Sequence, residues 1–263
     1  EKRGLIMSMV QFLPKKGSRI VVVGGSGGMG RSLVRAALSH GLKIIILGRG
    51  HSFEQYPAPE GALTIPCDVT DELSVNRAFE TIDKLWGAID GLVNLAGFTG
   101  EAIPIKYLTA DEWDSVGAVG LRGMFLVCRA ALSLLEKGES SSVVLISSTL
   151  GHRVVFSGYA HYASAKAGVV ALGKALASEA SPSIRVNVVS PGVFNTAFLQ
   201  GGTGREKRKG SEGVDPSQYH SLVPLGRIGE PDEIAGPILF LLGPAASYIT
   251  GQVLHVNGGT WAP

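Results

Sequence analysis

The sequence predicts an α/β fold: one doubly wound parallel sheet of about seven strands, with helices on both faces. Three observations predict it. Apolar runs of strand length alternate with longer segments of helical period, nearly every position in those runs is apolar, and a glycine-rich turn follows the first run. Runs without polar alternation are typical of strands covered on both faces, as in a parallel sheet. Alternating strands and helices then indicate doubly wound topology.

The predicted strands are short and bounded by polar or turn-forming residues. In chain order they read RIVVVG, KIIIL, ALTIPC, GLVNL, VVLIS, RVNVVS and QVLHV. Their positions are 19–24, 43–47, 62–67, 91–95, 143–147, 185–190 and 252–256.

The segments of helical period lie between these strands. Asp71 and Thr109 are expected to be N-caps, because their side chains accept hydrogen bonds from free N–H groups of a first helical turn. Glu112, three residues after Thr109, gives the pattern of a capping box. The predicted helices span 28–40, 71–86, 109–136, 158–180 and 231–243.

No internal repeat or linker divides the chain, so residues 18–263 are expected to form a single domain after an N-terminal extension over 1–17. Residues 197–221 interrupt the alternation and are rich in glycine, serine and charge. A loop that long in a compact domain is usually functional or disordered. It contains the strongest basic run of the chain, Arg205–Lys209.

Composition narrows the class of protein. Of 263 residues, 45% are hydrophobic and 17% charged, which argues for a globular protein. A net charge of +2 is too small to indicate nucleic-acid binding. Cys67 and Cys128 lack paired spacing, which favours a reducing compartment. No apolar run approaches the roughly 20 residues of a membrane span and the first residues lack a signal-peptide layout, so we expect a cytoplasmic protein without a membrane partner.

The segment Gly24–Gly30 (GGSGGMG) joins the first predicted strand to the first predicted helix. Glycines there allow positive φ and let the backbone approach a pyrophosphate at the helix N-terminus. In this context the segment indicates a dinucleotide site of the Rossmann type. A flexible turn without ligand is the alternative, and a mononucleotide P-loop is disfavoured because no Gly-Lys-Ser/Thr follows.

The choice between NADP and NAD depends on the end of the second predicted strand. A carboxylate there hydrogen-bonds the ribose 2′-hydroxyl of NAD, whereas an arginine accommodates the 2′-phosphate of NADP. Residues 47–52 contain no Asp or Glu, and Arg49 is in place. NADP is therefore favoured over NAD, with an ordinary surface arginine as the alternative.

Tyr162 and Lys166 are i and i+4 neighbours on one face of the predicted helix 158–180. An ammonium beside a phenol favours the phenolate, so the tyrosine pKa is expected to fall below its ordinary value of about 10. Such a tyrosine is suited to proton transfer near neutral pH. Ser148, at the end of the fifth strand, is placed to hold the oxygen that is protonated.

These residues together resemble the short-chain dehydrogenase/reductase (SDR) family over about residues 18–259. Gly24, Gly28 and Gly30 match its Thr-Gly-x-x-x-Gly-x-Gly pattern, with Val23 in place of threonine. The resemblance extends to the family's adenine-contacting aspartate, its Asn-Asn-Ala-Gly motif, its catalytic serine and Tyr-x-x-x-Lys, and the segment beside the nicotinamide. Those positions here are Asp68, Asn94 to Gly97 (with Leu95 as the departure), Ser148, Tyr162 with Lys166, and Pro191, Gly192 and Thr196.

The resemblance implies an NADP(H)-dependent oxidoreductase that interconverts a ketone and a secondary alcohol. Tyr162 would be the general acid/base, Lys166 would lower its pKa and hold the nicotinamide ribose, and Ser148 would hydrogen-bond the substrate oxygen. Ser147 and Thr149 are alternatives to Ser148, which is chosen because of its spacing to Gly151. The implied cofactor-binding residues are Gly24, Ser26, Gly28, Met29, Gly30, Arg49, Asp68, Val69, Asn94, Ala96, Gly97, Tyr162, Lys166, Pro191, Gly192, Val193 and Thr196.

One departure from the family pattern is Gly120, where the family usually has an asparagine that supports a proton-relaying water. Gly117, Gly120 and Gly123 recur every three residues, although each glycine costs about 0.8–1 kcal/mol of helix propensity relative to alanine. Helix packing at a subunit interface is the preferred account, and a locally loosened helix the alternative. A dinucleotide-binding protein with weakened catalysis, acting as a binding or partner subunit, is therefore the second hypothesis for function.

Several points concern the substrate and partners. Phe194, Phe198 and Leu199 suit an apolar substrate. The basic run 205–209 is expected to be either a solvated lid or a positive patch that attracts anionic or carrier-bound substrates. The family resemblance implies a homo-oligomer, either a tetramer or a dimer. His152 and His161 are expected at the surface or behind the site, with substrate contact as the alternative, and Asp68 has a helix cap as its alternative role. No cluster has metal-ligand spacing, so no catalytic metal is expected.

Overall fold

The protein is described by a computed structural model over residues 11–200, 202 and 216–263. Within these ranges the chain forms a seven-stranded parallel sheet of order β3-β2-β1-β4-β5-β6-β7, which confirms the predicted fold class. Every predicted strand is present, with its ends shifted by at most one residue. The strands are β1 Arg19–Val23, β2 Lys43–Gly48, β3 Leu63–Pro66, β4 Gly91–Asn94, β5 Ser142–Ile146, β6 Arg185–Pro191 and β7 Val253–Val256.

The α-helices of the described ranges cover both faces of the sheet. They are α1 Gly28–Ser39, α2 Gly50–Gln55, α3 Glu72–Trp86, α4 Ala110–Gly117, α5 Gly123–Glu136, α6 Ala160–Ala180 and α7 Ala235–Leu242. Val21 and Val23 point to the side of α3, α5 and α6, whereas Ile20 and Val22 point to the side of α1 and α7. Because both faces are covered, alternation of polar and apolar residues is absent from the central strands.

The order in which strands are added to the sheet reverses between β1 and β4. These two strands are neighbours in space although β2 and β3 separate them in sequence. In open α/β sheets, ligands bind beyond the carboxyl ends of the strands at such a switch point. The glycine loop follows β1, and Asn94 ends β4. The topology therefore places the predicted cofactor loop and the Asn94 segment side by side.

Three helical predictions differ from the structure. The predicted helix 109–136 is interrupted, because a π-helical turn over Ala118–Arg122 separates α4 from α5. The predicted helix 231–243 begins with a 3₁₀ turn, Pro231–Ile234, before α7. Helix α2 is missing from the prediction because its six residues, GHSFEQ, show no clear apolar period.

The irregular segment 197–221 contains 3₁₀ turns at Ala197–Gln200 and Pro216–Leu222. Residues 201 and 203–215, with the basic run, lie outside the described residues. On either side of the segment, Phe194 and Gly229 form an isolated parallel bridge. The N–H of Asn195 donates to Gly229 O at 2.8 Å, and that of Gly229 donates to Val193 O at 2.9 Å, so the two ends of the segment are held together.

The stretch Ala110–Glu136 is long enough to span a membrane and contains an 18-residue window with a mean hydropathy of 1.6, although no apolar run of about 20 residues was expected from the sequence. Half of its most apolar window is buried inside the protein. Met124, Val127 and Ala131 on this stretch are fully buried against the sheet and α3. Apolar residues that pack against the protein's own sheet are typical of a core helix.

Candidate active site

A cavity of about 720 Å³ opens at the carboxyl edge of the sheet. It runs from the glycine loop and Arg49 at one end to Ser148, Tyr162 and Lys166 at the other. Every predicted catalytic or cofactor-binding residue except Asn94 lines it. Residues that are as far apart in sequence as Gly24 and Thr196 therefore share one site.

The glycine loop packs tightly against the chain that surrounds it. A Cβ on Gly28 would lie 2.7 Å from Thr196 Cγ2, and a Cβ on Gly30 would lie 2.5 Å from Gly24 O. Larger residues at these positions would push the loop away from the sheet edge. The two glycines thus keep the backbone close to the cavity, as a pyrophosphate site requires.

The N-terminus of α1 faces this cavity and lacks a side-chain cap. Its N-cap is Gly27, and its first turn contains no acidic residue. Free N–H groups and the positive end of the helix dipole then favour an anion at this point. These features fit the pyrophosphate of a dinucleotide.

At the end of the cavity that is predicted to hold the adenosine, Arg49 follows β2 and is the N-cap residue of α2, while Asp68 lies shortly after β3. The Asp68 carboxylate accepts hydrogen bonds from the N–H and hydroxyl of Thr70, at 2.9 and 2.7 Å. The helix α3 is capped instead by Asp71, whose carboxylate accepts from Leu73 N at 3.0 Å. The alternative role for Asp68, a cap of this helix, is therefore wrong.

Asn94 supports the site from beneath. It is fully buried, and its Oδ1 accepts a hydrogen bond from Ala96 N at 3.1 Å. This bond shapes the turn that carries Ala96 and Gly97 into the cavity wall. Gly97 passes so close to Lys166 that a Cβ on it would lie 3.2 Å from Lys166 Nζ.

The three neighbouring hydroxyls after β5 have separate tasks. Ser147 Oγ donates to Lys166 O at 2.7 Å, and Thr149 Oγ1 donates to Pro191 O at 3.1 Å. Both are buried and tie the loop to α6 and β6. Ser148 Oγ accepts from Leu150 N at 3.2 Å, lines the cavity and forms a hydrogen bond with the Tyr162 phenol. This geometry supports Ser148 over its neighbours.

Tyr162 and Lys166 lie on the inner wall of the cavity and are 6% and 3% exposed. Lys166 Nζ donates to Ile146 O at 2.8 Å and lies 5.8 Å from the centre of the Tyr162 ring. Burial lowers the pKa of Lys166 to about 8, because the charged ammonium is separated from water. The i, i+4 spacing thus brings the two groups together as the sequence predicts.

The pKa of Tyr162 moves opposite to the predicted direction. Burial raises it to about 12, and the hydrogen bond with Ser148 only partly offsets this effect. Desolvation of the phenolate therefore outweighs the neighbouring ammonium, which is itself turned toward Ile146 O. At neutral pH the phenol carries its proton and can act as an acid.

Comparisons with known proteins agree with this geometry. The family described as Enoyl-(Acyl carrier protein) reductase matches residues 24–260. The chain is 35% identical over 252 residues to the 3-oxoacyl-[acyl-carrier-protein] reductase FabG of Aquifex aeolicus, which covers 93% of this chain and 97% of that protein. The chain belongs to the short-chain dehydrogenase/reductase family.

Two further relatives agree with this assignment. Carbonyl reductase family member 4 of Danio rerio is 37% identical over 249 residues, covering 92% of this chain and 98% of that protein. A crystal structure of a Brucella melitensis protein, described as short-chain dehydrogenase/reductase SDR:Glucose/ribitol dehydrogenase, has a TM-score of 0.83 at 28% identity and covers 96% of this chain and 100% of that one. This SDR is an NAD(P)-dependent oxidoreductase acting on CH–OH and C=O groups, and the hypothesis of a weakened binding subunit is not favoured.

Gly120, the residue at which this SDR departs from the family pattern, lies within the π-helical turn. Gly120 is buried, and a Cβ there would lie 3.5 Å from Ala165 Cβ on α6. A Cβ on Gly123 would lie 2.9 Å from Val69 Cγ2, whereas one on Gly117 would meet nothing within 4 Å. The three glycines therefore face different surroundings. The loosened helix is present, and a subunit interface stays a prediction.

Gly120 and Gly123 are expected to respond oppositely to alanine. Gly120→Ala adds a methyl group at ordinary contact distance, so the free energy of unfolding should rise by about 0.5–1 kcal/mol through helix propensity. Gly123→Ala should lower it, because its methyl group would press on the Val69 side chain and on Val69 O. Urea unfolding measures both. A destabilised Gly120→Ala protein would show that the π-helical turn itself requires glycine.

Sequence reasoning missed several residues of the cavity. Thr99 lines it with a buried hydroxyl that has no hydrogen-bond partner among the described residues. Phe156 and Tyr219 meet edge to face, 6.0 Å apart, at the same end as Tyr162. Both aromatics lie in segments without periodicity, so no sequence pattern marks them. The available signal was their position in the sequence, since Phe156 follows Ser148 closely and Tyr219 belongs to the irregular segment 197–221.

The two histidines beside the site lie outside the cavity lining. His152 stacks on Trp261 with ring centres 4.9 Å apart and meets His255 edge-on at 4.8 Å. His161 is 2% exposed, so it is not a surface residue. In the part of the chain that the structure describes, no group of three or more His, Cys, Asp or Glu side chains is arranged to hold a metal ion.

Proposed function

We propose that this SDR is an NADP(H)-dependent reductase that converts a ketone to a secondary alcohol, with Tyr162 as general acid. The observation that carries the proposal is that Ser148 and the buried side chains of Tyr162 and Lys166 line the same cavity as the glycine loop. A proton donor and a dinucleotide site that share one cavity are what carbonyl reduction requires.

The residues of the cavity divide the work of the reaction. When bound, the nicotinamide supplies a hydride to the carbonyl carbon. The Ser148 hydroxyl donates a hydrogen bond to the carbonyl oxygen, and Tyr162 transfers its phenolic proton to that oxygen as negative charge develops there. The carbonyl thus gains a hydride at carbon and a proton at oxygen, which gives the alcohol. A general acid of this kind contributes roughly 10²–10⁴-fold to the rate.

The cofactor would be held by backbone and side chains along the whole cavity. The α1 N-terminus would bind the pyrophosphate, Asp68 and Val69 the adenine, and Lys166 the nicotinamide ribose. Thr196 and the segment Pro191–Val193 would lie beside the nicotinamide. These assignments are supported by the position of each residue in the cavity lining.

The acid–base state of the site supports the reductive direction. A Tyr162 pKa of about 12 leaves the phenol protonated at neutral pH. Reduction needs a proton donor, whereas oxidation of an alcohol needs the phenolate as a base. The protonated phenol is therefore the form that can donate the proton in the proposed reduction.

Arg49 supports the choice of NADP over NAD. It lines the cavity at the end of β2, where the cofactor's 2′-phosphate would lie. Arg49→Asp removes a positively charged hydrogen-bond donor and adds a negative charge that repels the 2′-phosphate. The preference for NADPH over NADH should therefore fall by roughly 10–100-fold. Steady-state kinetics with both cofactors measures it. Arg35→Asp, an equal charge change at an exposed position on α1 outside the cavity lining, is the control and should leave selectivity unchanged.

The substrate end of the cavity favours an uncharged, apolar ketone. Among the described residues of the lining, the charged side chains are Arg49, Asp68 and Lys166, whereas Phe156, Phe198 and Tyr219 contribute aromatic surface. Phe198 lies 6.1 Å from the Tyr162 ring and lines the same cavity as the Phe156–Tyr219 pair. A 3-oxoacyl substrate, named for relatives of this chain, shares this apolar ketone chemistry.

A turnover assay with NADPH and a panel of carbonyl compounds tests the function. The panel contains aryl and alkyl ketones, 3-oxoacyl thioesters, and charged 3-oxo acids as the disfavoured class. We expect NADPH oxidation with the uncharged members. Cofactor that binds but is never oxidised by any member would contradict the proposal.

We also propose a cytoplasmic homo-oligomer, either a tetramer or a dimer. Two free, buried cysteines support a reducing compartment. Trp113 on α4 and Phe125 on α5 are 42% and 43% exposed, and large apolar side chains at the surface support self-association. Light scattering of the purified protein measures the mass of the assembly, and a monomer would contradict this part of the proposal.

A further inference from the structure

His161 is a buried polar residue without a hydrogen-bond partner. It directly precedes Tyr162 in α6, and its side chain is fully enclosed. Neither ring nitrogen has a hydrogen-bond partner among the described residues. Leaving a buried polar group unpaired is unfavourable, so an imidazole retained at this position needs an explanation.

Glu112 is the charged group that faces His161. The two side chains approach to 3.9 Å between His161 Nε2 and Glu112 Oε1, which is beyond hydrogen-bond distance, and they would form an ion pair only with a protonated ring. Burial lowers the pKa of His161, and Glu112 offsets part of that effect. The ring is therefore neutral at pH 7, and its polar edge lies beside the carboxylate.

Glu112 itself departs from the role that the sequence predicts. Thr109 Oγ1 accepts a hydrogen bond from Glu112 N at 3.2 Å, which is one half of a capping box. In the other half the glutamate carboxylate would accept from Thr109 N, yet Glu112 Oε1 accepts from Glu101 N at 3.0 Å. The carboxylate thus stabilises a distant loop in place of its own helix.

Gly100 lies between these two side chains. A Cβ on it would be 2.5 Å from His161 Nε2 and 2.7 Å from Glu112 Oε1, and its φ of +69° is in the left-handed region. The backbone of the loop is therefore clamped where it passes the His161–Glu112 pair. At its other end the same loop carries Gly97, which borders Lys166 Nζ.

We propose that His161 and Glu112 form a brace that fixes Gly97–Glu101 and thereby positions the cavity wall beside Lys166 for cofactor binding. His161 is in this account a positioning residue, since it does not line the cavity. The inference rests on the proposed function, because the wall it positions is the one that would border the nicotinamide ribose.

The test compares His161→Leu and Glu112→Ala with the conservative variants His161→Gln and Glu112→Gln in the full chain. NADPH affinity is measured by fluorescence titration, KM and kcat by steady-state kinetics, and Tm by thermal unfolding. For the first pair we expect Kd and KM for NADPH to rise about tenfold with a smaller change in kcat, since misplacement by about 1 Å costs up to about 100-fold. The conservative pair should restore most of the affinity. His40→Leu and Glu80→Ala, outside the cavity lining, are matched controls.

A merely structural His161 gives a different pattern. Leucine would then remove an unpaired buried polar group, so Tm should rise while Kd and KM stay within about twofold of the wild type. That result overturns the brace. If His161→Leu does not fold, the result for Glu112→Ala decides between the two accounts. The Glu112 side chain is 27% exposed, so the protein should fold without it. A wild type that binds neither NADPH nor NADH contradicts the proposed function and the brace with it, whereas unchanged binding in both variants contradicts the brace alone.

Discussion

Tyr162→Phe is expected to lower ketone reduction by at least 10²–10⁴-fold while NADPH affinity stays within about twofold of the wild type. The substitution removes the phenolic hydroxyl of Tyr162 and keeps the aromatic ring, including its contact with Phe198. Because the phenol is the proton donor in the proposed reaction, hydride transfer would leave an unprotonated alkoxide. Single-turnover kinetics and fluorescence titration measure the two quantities separately.

Tyr159→Phe is the matched control for this experiment. Tyr159 lines the same cavity, three residues before Tyr162, so its variant removes the same atom from the same site. We expect a loss well below 100-fold there. Equal losses in both variants, or turnover that persists in Tyr162→Phe, would show that the proton comes from elsewhere.

Lys166→Met is expected to have the second-largest effect, a loss of about 10²–10³-fold in kcat/KM with weaker NADPH binding. The methionine keeps the volume of the buried side chain but removes the ammonium that donates to Ile146 O and borders Gly97. Loss of a positioned charged group in a dry site typically costs this much. Lys174→Met, at an exposed position on the same helix, is the control and should behave as the wild type.

The same variant should unfold less readily at neutral pH. A pKa of about 8 in place of 10.5 means that the folded protein carries a buried charge at a cost of about 3 kcal/mol below pH 8. Losing the hydrogen bond to Ile146 O costs about 1 kcal/mol, so a net gain of the order of 2 kcal/mol is expected. Lower stability of Lys166→Met in urea at pH 7 would contradict the assigned pKa.

The sign of the pH dependence follows from the direction of the shift. The unfolded chain holds the lysine proton up to about pH 10.5, whereas the folded chain releases it near pH 8. Wild-type stability should therefore rise between about pH 8 and 10.5, and the advantage of Lys166→Met should vanish over that range. If the reaction needs the ammonium, reductase activity should fall as the pH rises through about 8.

The fold was predictable because its strands are extreme in composition. Ile44, Ile45, Ile46 and Leu47 form one uninterrupted run, and each is at most 1% exposed in the sheet. Such a run leaves no polar face for solvent, so only a strand covered on both sides can accommodate it. Helix α2 was not predicted because six residues are too few to show an apolar period. The π-helical turn was not predicted because a one-residue change of helical register leaves no mark in the hydrophobic pattern.

The sequence predicted most of the cavity's polar lining but not its electrostatics. The spacing of Tyr162 and Lys166 indicates that the two side chains share a helical face, which the structure confirms. It does not reveal that both are buried, and burial reverses the expected shift of the tyrosine pKa. The choice among three neighbouring hydroxyls likewise required knowing that Ser147 and Thr149 donate to backbone carbonyls.

Another limit of sequence reasoning concerns Glu112. The pattern Thr109 to Glu112 predicts a reciprocal capping box, and its first half is present. The second half is absent because a backbone N–H from Glu101, eleven residues earlier in the chain, reaches the carboxylate. Local patterns describe what a side chain can do, whereas tertiary packing decides among its possible partners.

The parallel bridge between Phe194 and Gly229 separates the evolution of substrate range from that of the catalytic framework. Because the bridge holds both ends of the intervening segment together, the part of it that follows Phe198 can change in length and sequence without altering the contacts of Thr196 with the glycine loop or of Phe198 with Tyr162. Doubling the length of such a closed loop costs only about 0.6 kcal/mol of chain entropy. New specificities can therefore arise by changes in this part of the segment, while the proposed proton donor, Thr196 and the glycine loop stay the same.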